Sequence, residues 1–366
     1  MLSLLLASCA APTPVPDVLG GDSADSGDSG EAAGYSLTLA GEVALPGAMD
    51  VWGEGDIAVI AGGIHPDIDV LVADISDPSH PTTLATISGL GQVRDVELHD
   101  GIVAAASDCN CQAGTPDFDR WDHIGIRLYD LTDPASPQLR AEIGAPTESV
   151  HNLTVADGYL YATSMLENVV VIFDIHDPAS PVEVGRWVPP DGSPHDQTIV
   201  GDTLYVAHVT GFSAVDVSDR SHPTTTQTIP VARLDGGFTS LHNVWPLPNT
   251  NYVATSQEQI GGKLRLWNME AGALVSEYPS EEELNCVHNA YVFNDRLYTA
   301  WYLDGVRVFD IADPTAPMLL GTYDTFPEDV KPGDKPDIRG AWGLWADHGV
   351  VVVGDTQRGM IVLTEG

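Results

Sequence analysis

Basic residues are the scarcest thing in this chain. Lys and Arg number 15 against 53 Asp and Glu, a formal net charge of -38 over 366 residues. Nucleic acids and anionic membrane surfaces are held through basic patches, so no nucleic-acid partner is expected. Cysteine is almost as rare. Cys9, Cys109, Cys111 and Cys286 are the whole set, too few for a disulfide framework. Past the N-terminus there is no run of 18 apolar residues, so no transmembrane span is expected. A Gly-rich phosphate loop, Gly-x-Ser-x-Gly, His-Glu-x-x-His and an EF-hand loop are all missing, and with them the commonest motif-borne chemistries. The acidic balance suits a soluble surface that collects cations.

What the chain has in abundance is self-similarity. Leu303–Pro317 (LDGVRVFDIADPTAP) returns as Val70–Pro81, Arg127–Pro137, Val170–Pro181 and Ala214–Pro223, with a worn copy at Leu264–Ala273 that has lost both prolines. Alternating Val, Leu and Phe mark a half-buried strand. The aspartate at its end bonds nearby backbone N–H groups, and Asp-Pro turns the chain. The second proline opens the next strand, where no ladder N–H is needed. Turn chemistry is therefore the leading role for these aspartates. A period of about 45 residues is the length of one four-stranded propeller blade.

A second motif lies upstream of each phrase and reads strand, tight turn, strand. Its copies span residues 49–62, 94–107, 151–164, 195–209, 242–256, 288–302 and 342–356. Turn pairs such as Asp157-Gly158, Gly201-Asp202, Asn294-Asp295 and His348-Gly349 are hairpin signals. Seven hairpins predict an all-β, seven-bladed β-propeller, with strands A to D in each blade. The last blade lacks its D strand, because the chain ends just after Met360–Leu363. Tyr35–Leu45 is the spare strand that fills it and closes the ring.

The N-terminus reads as an export leader. In residues 1–9 an apolar run precedes Leu6-Ala7-Ser8-Cys9, the arrangement of a lipoprotein signal. The run is short and no basic residue precedes it, so the true start is expected upstream; a chance Leu-rich start remains the alternative. Residues 10–34 are rich in Pro, then Gly, Asp and Ser, and are expected to be a disordered tether, with the propeller occupying 35–366. Lipidation of Cys9 would hold the protein at a membrane, and Ala10 rather than Asp after the cysteine points to the outer membrane or cell surface.

The strand-Asp-x-x-Asp-Pro-x-x-Pro phrase resembles that of the LVIVD-repeat family of extracytoplasmic β-propellers, which includes the choice-of-anchor B group. The resemblance runs from about Gly41 to Leu363; the blade containing Leu264–Met269 departs from the motif, which puts only its own turn in doubt. It implies the propeller fold and a membrane anchor, and it says little about activity.

One column of the repeat alignment carries chemistry. Strand A opens with His151, His195, His242 and His288 in four successive blades, where the others have Met49, Arg94 and Trp342. Innermost strands surround the channel, so these positions arc around one mouth. Four imidazoles, with Asp196 beside them, suit Zn, Cu, Ni or Fe. The competing reading is one ancestral structural histidine copied with the repeat. Some propeller enzymes, such as the methanethiol oxidase/selenium-binding family, offer a fold-level analogy for metal chemistry at channel histidines. Arg94 and Trp342 are expected to flank the mouth.

The insertion Ser107–Ile124 holds Cys109, Cys111, Asp117, Asp119, Asp122 and His123; a disulfide is its simplest use, a soft metal the alternative. Tyr323–Arg339 is acidic and Pro-rich and reads as a surface loop. Two functions stay open: a monomeric envelope propeller that binds a protein or glycan, and a metal-dependent oxidase or hydrolase using the histidine arc, whose catalytic residues are not identifiable.

Overall fold

The computed structural model describes residues 34–63, 65, 67–108, 125–144, 149–190, 192–231, 241–259, 261–279, 286–326 and 339–366. They form seven four-stranded antiparallel sheets. Six are consecutive in sequence, at residues 51–87, 93–143, 152–187, 194–230, 241–279 and 290–323. The seventh takes strands A to C from residues 341–365 and its D strand, Leu37–Ala44, from the other end of the chain. Register runs from Leu37 opposite Glu365 to Ala44 opposite Gly359. Ring closure is therefore as the spare strand predicted. No helix of the described residues is long and apolar enough to cross a membrane.

Each strand C is buried on both faces because a neighbouring blade covers each one, and most of its side chains are apolar. Val70, Leu71, Val72 and Ala73 are all buried, as are Val169, Val170, Val171, Ile172 and Phe173. The apolar clusters accordingly fall between blades. Ala104, Leu128, Leu153 and Val171 pack the second blade on the third, and Val308, Leu344, Val353 and Ile361 pack the sixth on the seventh. Outer D strands are polar and exposed, as in Gln138–Ile143.

The Asp-Pro phrase does what its chemistry requires. Asp310 accepts from the Ala312 N–H at 2.8 Å and Asp313 from the Thr315 N–H at 3.0 Å. Asp74 with Ser76, Asp130 with Thr132, and Asp216 with Ser218 repeat the first bond in other blades. In the worn copy Asn268 takes over, accepting from Ala271 N–H at 2.9 Å. The tight A–B turns place Asp157 and Gly158 at φ 51° and 73°, the left-handed pair of a type I′ hairpin.

Candidate functional site

The histidine column sits at a repeated flaw in the sheets. Strand A pairs regularly with strand B until the column is reached, and there the register slips. It slips between Val93 and Asp95, Pro194 and Asp196, Leu241 and Val244, and Ala341 and Gly343. The residues passed over include Arg94, His195, His242 and Trp342. A bulge frees a residue from the ladder and re-aims its side chain, here into the channel mouth.

The four histidines converge as a chain of rings. Centroids are 4.5 Å apart for His151 and His195, 4.4 Å for His195 and His242, and 3.8 Å for His242 and His288. Trp342 continues the arc, 4.3 Å from His288. Together with Arg94, Asp196 and Asp50 they line a cavity of about 30 Å³. The predicted mouth residues are thus assembled in one place.

Hydrogen bonds sort the rings into two kinds. His288 donates from Nδ1 to the Trp342 carbonyl at 2.9 Å, and His151 donates from Nδ1 to Asp108 Oδ2 at 3.0 Å. In a neutral ring so held, Nε2 is the nitrogen left with its lone pair. His195 and His242 are different. They are 7% and 6% exposed, and neither Nδ1 has a hydrogen-bond partner among the described residues. Burial holds both imidazoles well below the usual histidine range, and the neighbouring rings of the arc push the same way. Burial likewise lowers His288 to about 3, with the Trp342 carbonyl opposing and His151 and Arg94 adding to the drop. These rings are neutral at pH 7, the form that binds a metal.

The compact donor set differs from the four-histidine ligand set expected from sequence. His195, His242 and Glu258 each offer one ligand atom, all within 4.8 Å of one another; His151 and His288 are not in that group. Glu258 is buried and accepts from Tyr302 Oη at 2.6 Å. A buried His/His/Glu cluster of this kind has the donors to hold a metal, without specifying which.

Sequence reading missed Glu258 because the aligned hairpin stops at Ser256. A signal existed. Glu258 follows Gln257, which pairs with Leu241 just before His242, and Asp108 follows Ser107, which pairs with Val93 just before Arg94. Both acids hold the same corner of their blades. Asp108 is used by Arg94 Nε at 3.1 Å, by His151 and by Ser149. Burial pushes Asp108 up, yet these partners outweigh it and hold the carboxyl below the usual range.

A second layer lies behind the column, made by the next residue in six of the seven blades, the seventh having Gly343 there. It comprises Asp50, Asp95, Asn152, Asp196, Asn243 and Asn289. The acids clasp neighbouring blades: Asp50 accepts from Val96 N–H at 3.5 Å, Asp95 from Leu153 N–H at 2.5 Å, and Asp196 from Asn243 Nδ2 at 3.0 Å. Burial raises all three carboxyls. Asp50 is pushed up to about 7, with the hydrogen bond from Asp95 opposing. Asp95 is pushed further, by burial and then by Asp50, so Asp95 keeps the proton of the pair. Asp196 is raised by burial and by Asp95. Asp50 and Asp95 follow Met49 and Arg94, so their signal was in the same column, hidden where the histidine was missing.

Cys9, the tether residues 10–33, Cys109, Cys111, Asp117, Asp119, Asp122 and His123 lie outside the described residues, as does most of the 323–339 loop. Cys286 is buried beside the arc.

Comparison with known proteins agrees with this architecture. The LVIVD repeat matches residues 47–87, 149–188, 191–229 and 292–325. These fall on the first, third, fourth and sixth blades; the others carry the insertion, the worn phrase or the closing strand. Among solved structures, the WD40 β-propeller domain of Doa1 aligns with TM-score 0.65 and 13% identity, over 90% of this chain and 97% of that one. The computationally designed Ika8 protein aligns with TM-score 0.55 and 13% identity, over 87% and 83%. At such identity the likeness is one of fold. A search of curated proteins returned no match. The chain thus carries LVIVD repeats in four blades of a seven-bladed β-propeller.

Proposed function

We propose that this protein is an extracytoplasmic binding propeller, tethered by a lipid on Cys9, whose channel mouth holds a transition metal on His195, His242 and Glu258. A propeller of LVIVD repeats supports an interaction module as the coarse reading. The observation that carries the metal is the donor set itself: two neutral, buried imidazoles and a buried carboxylate converge within 4.8 Å. Buried polar atoms normally have hydrogen-bond partners; His195 Nδ1 has none among the described residues, and His242 Nδ1 has only Asp196 Oδ2 at 3.8 Å. Zn, Cu, Ni and Fe all accept nitrogen and carboxylate donors. His151 and His288, each oriented by a bond through Nδ1, stand next to the site and shape what approaches it. A protein or glycan partner would meet the metal at this mouth.

A second reading is supported by the same donors. Three protein ligands leave a coordination position open, the pattern of catalytic rather than structural sites. That favours a metal-dependent oxidase or hydrolase over a purely structural ion.

The test is metal analysis of protein purified without a His-tag. Wild type should carry a stoichiometric transition metal, and Glu258→Gln and His195→Ala should each lose it while keeping the β-sheet circular dichroism spectrum. Wild type free of metal, and unable to take up Zn²⁺ or Cu²⁺, would remove the site. The anchor is tested separately: Cys9→Ser should move the protein from membrane to soluble fraction.

A further inference from the structure

Behind the histidine cavity lies a second one, of about 40 Å³. It shares Asp50, Asp95 and Asp196 with the first and ends on Trp52, Trp245 and Tyr291. No Lys or Arg lines it. Asp95, Asp196 and Glu97 are buried around this space and Asp50 is part-buried. Glu97 is taken up by Thr154, the Val155 N–H and His99, and no Lys or Arg in the cavity answers the other three, although buried charge is normally paired. The donors they do receive are the backbone N–H groups of Val51, Val96, Leu153 and Gln197, one carboxamide and the proton Asp95 shares with Asp50.

A further acceptor has no donor. Asn243 is 4% exposed and lines the same cavity, its Nδ2 spent on Asp196, and its Oδ1 has no hydrogen-bond partner among the described residues. The Oδ1 atoms of Asn152 and Asn289, in the same layer, are in the same position. A chamber of acceptors without donors is built for a cation that brings its own N–H groups.

The end wall narrows the choice. Tyr291 lies 4.8 Å from Trp245 and 5.8 Å from Trp52, centroid to centroid. Ring faces attract cations and also accept methylene groups. Spacing argues against a bare divalent ion. Ca²⁺ binds oxygen at roughly 2.3–2.6 Å, so its ligands lie within about 5 Å of one another. The three aspartates do not form a group of ligand atoms within 4.8 Å, whereas His195, His242 and Glu258 do. An ammonium does not need all three carboxyls at once: one or two of them, at hydrogen-bond distances of about 2.7–2.9 Å, and an Asn Oδ1 satisfy its three N–H groups. A quaternary head has no N–H to offer these acceptors, whereas a primary amine has three.

We propose that this chamber binds a protonated primary amine, with the Asp50, Asp95 and Asp196 layer taking its N–H groups and Trp52, Trp245 and Tyr291 taking its carbon stem. The site needs no metal in the layer in front of it. Its natural ligand is either a free alkylamine or the lysine side chain of a partner, and both present the same –CH₂–NH₃⁺ group.

Calorimetric titration of the full-length protein decides the matter. n-Butylammonium and Nα-acetyl-lysine amide are the probes, with tetramethylammonium and CaCl₂ as comparisons. Saturable binding of either primary amine, absent with tetramethylammonium, is expected; tighter binding of the lysine derivative identifies a peptide source, and of the alkylamine a free one. Asp50→Asn should weaken binding roughly tenfold or more, and Trp245→Leu about three- to tenfold. No saturable uptake of either amine by wild type overturns the proposal, whatever the variants do. So does binding that survives Asp50→Asn and Trp245→Leu unchanged, or saturable Ca²⁺ uptake that displaces the amine. Metal content leaves this result untouched, so the two sites fail separately.

Discussion

The first blade holds two aspartates that behave in opposite ways. Asp74 stands at the rim, exposed to water, and a Ser76 hydroxyl and backbone N–H hold its carboxyl below the usual range. Asp50 stands in the channel, where burial pushes it up to about 7. The second blade repeats the pair with Asp130, lowered to about 2 by Thr132 and Arg140, against Asp95, pushed well up. The fourth repeats it with Asp216 and Asp196. The residue is the same and the blade is the same. What differs is whether donors arrive with the water or must be supplied by a protein that has few to give. Rim aspartates are there for the fold; channel aspartates are held against their own solvation and need a reason beyond the fold.

The sharpest way to break this contrast is to neutralise the channel. Between its unfolded value near 3.8 and its folded value of about 7, Asp50 holds a proton in the folded chain and releases it in the unfolded one. Stability therefore falls as pH rises through that window, against Asp95, Asp196 and Glu97 as neighbours, and levels off above it. Asp50→Asn should match wild type at pH 4 and exceed it by about 2–4 kcal/mol at pH 8. Denaturant melts at the two pH values measure this; a variant less stable at pH 8 would mean the channel carboxyl is already compensated.

A buried carboxylate with donors supplies the intermediate case. Glu365 accepts from Tyr35 Oη at 2.8 Å and Tyr298 Oη at 2.9 Å, and pairs with Arg296. Glu365→Ala should cost about 1–3 kcal/mol, since two hydroxyls and a half-exposed guanidinium lose their acceptor. Thermal melts at pH 7 test the sign, which is opposite to that of Asp50→Asn. The rim gives the smallest effect. Asp313→Ala removes one turn acceptor in open water, and its change in Tm should be the smallest of the three in magnitude. A loss matching that of Glu365→Ala would show that the turns carry more than local geometry.

The ease of reading this chain followed the same division. Rim turns were legible because each Asp-Pro phrase acts on backbone within a few residues of itself, and repetition made the phrase visible. The histidine column was legible for the same reason, being fixed relative to each hairpin. Glu258 and Asp108 were not, because their value comes from facing a histidine of the same or the next blade across a corner. Asp50 and Asp95 were overlooked because their preceding residues are Met49 and Arg94, so the column seemed to end before it did. Which donors form one compact set depends on side-chain reach across blades, and no single repeat encodes that.

Ring closure carries a consequence for how the chain reaches its native state. Leu37–Ala44 is the first strand of the ring to be synthesised, and it pairs with Gly359–Glu365, the last. The contact between Tyr35 and Glu365 spans 330 residues. Six blades can assemble from neighbouring hairpins, but the seam must wait for the whole ring, and non-local pairings of this kind slow folding. Until then one edge strand and one three-stranded blade stand open, each a template for another chain. Ser36 and Gly366 exchange backbone hydrogen bonds at 2.9 Å in both directions, so the two ends already touch. A circular permutant that carries the first strand after residue 366 would make the seventh blade as local as the rest. It should refold faster and aggregate less while melting at nearly the same temperature.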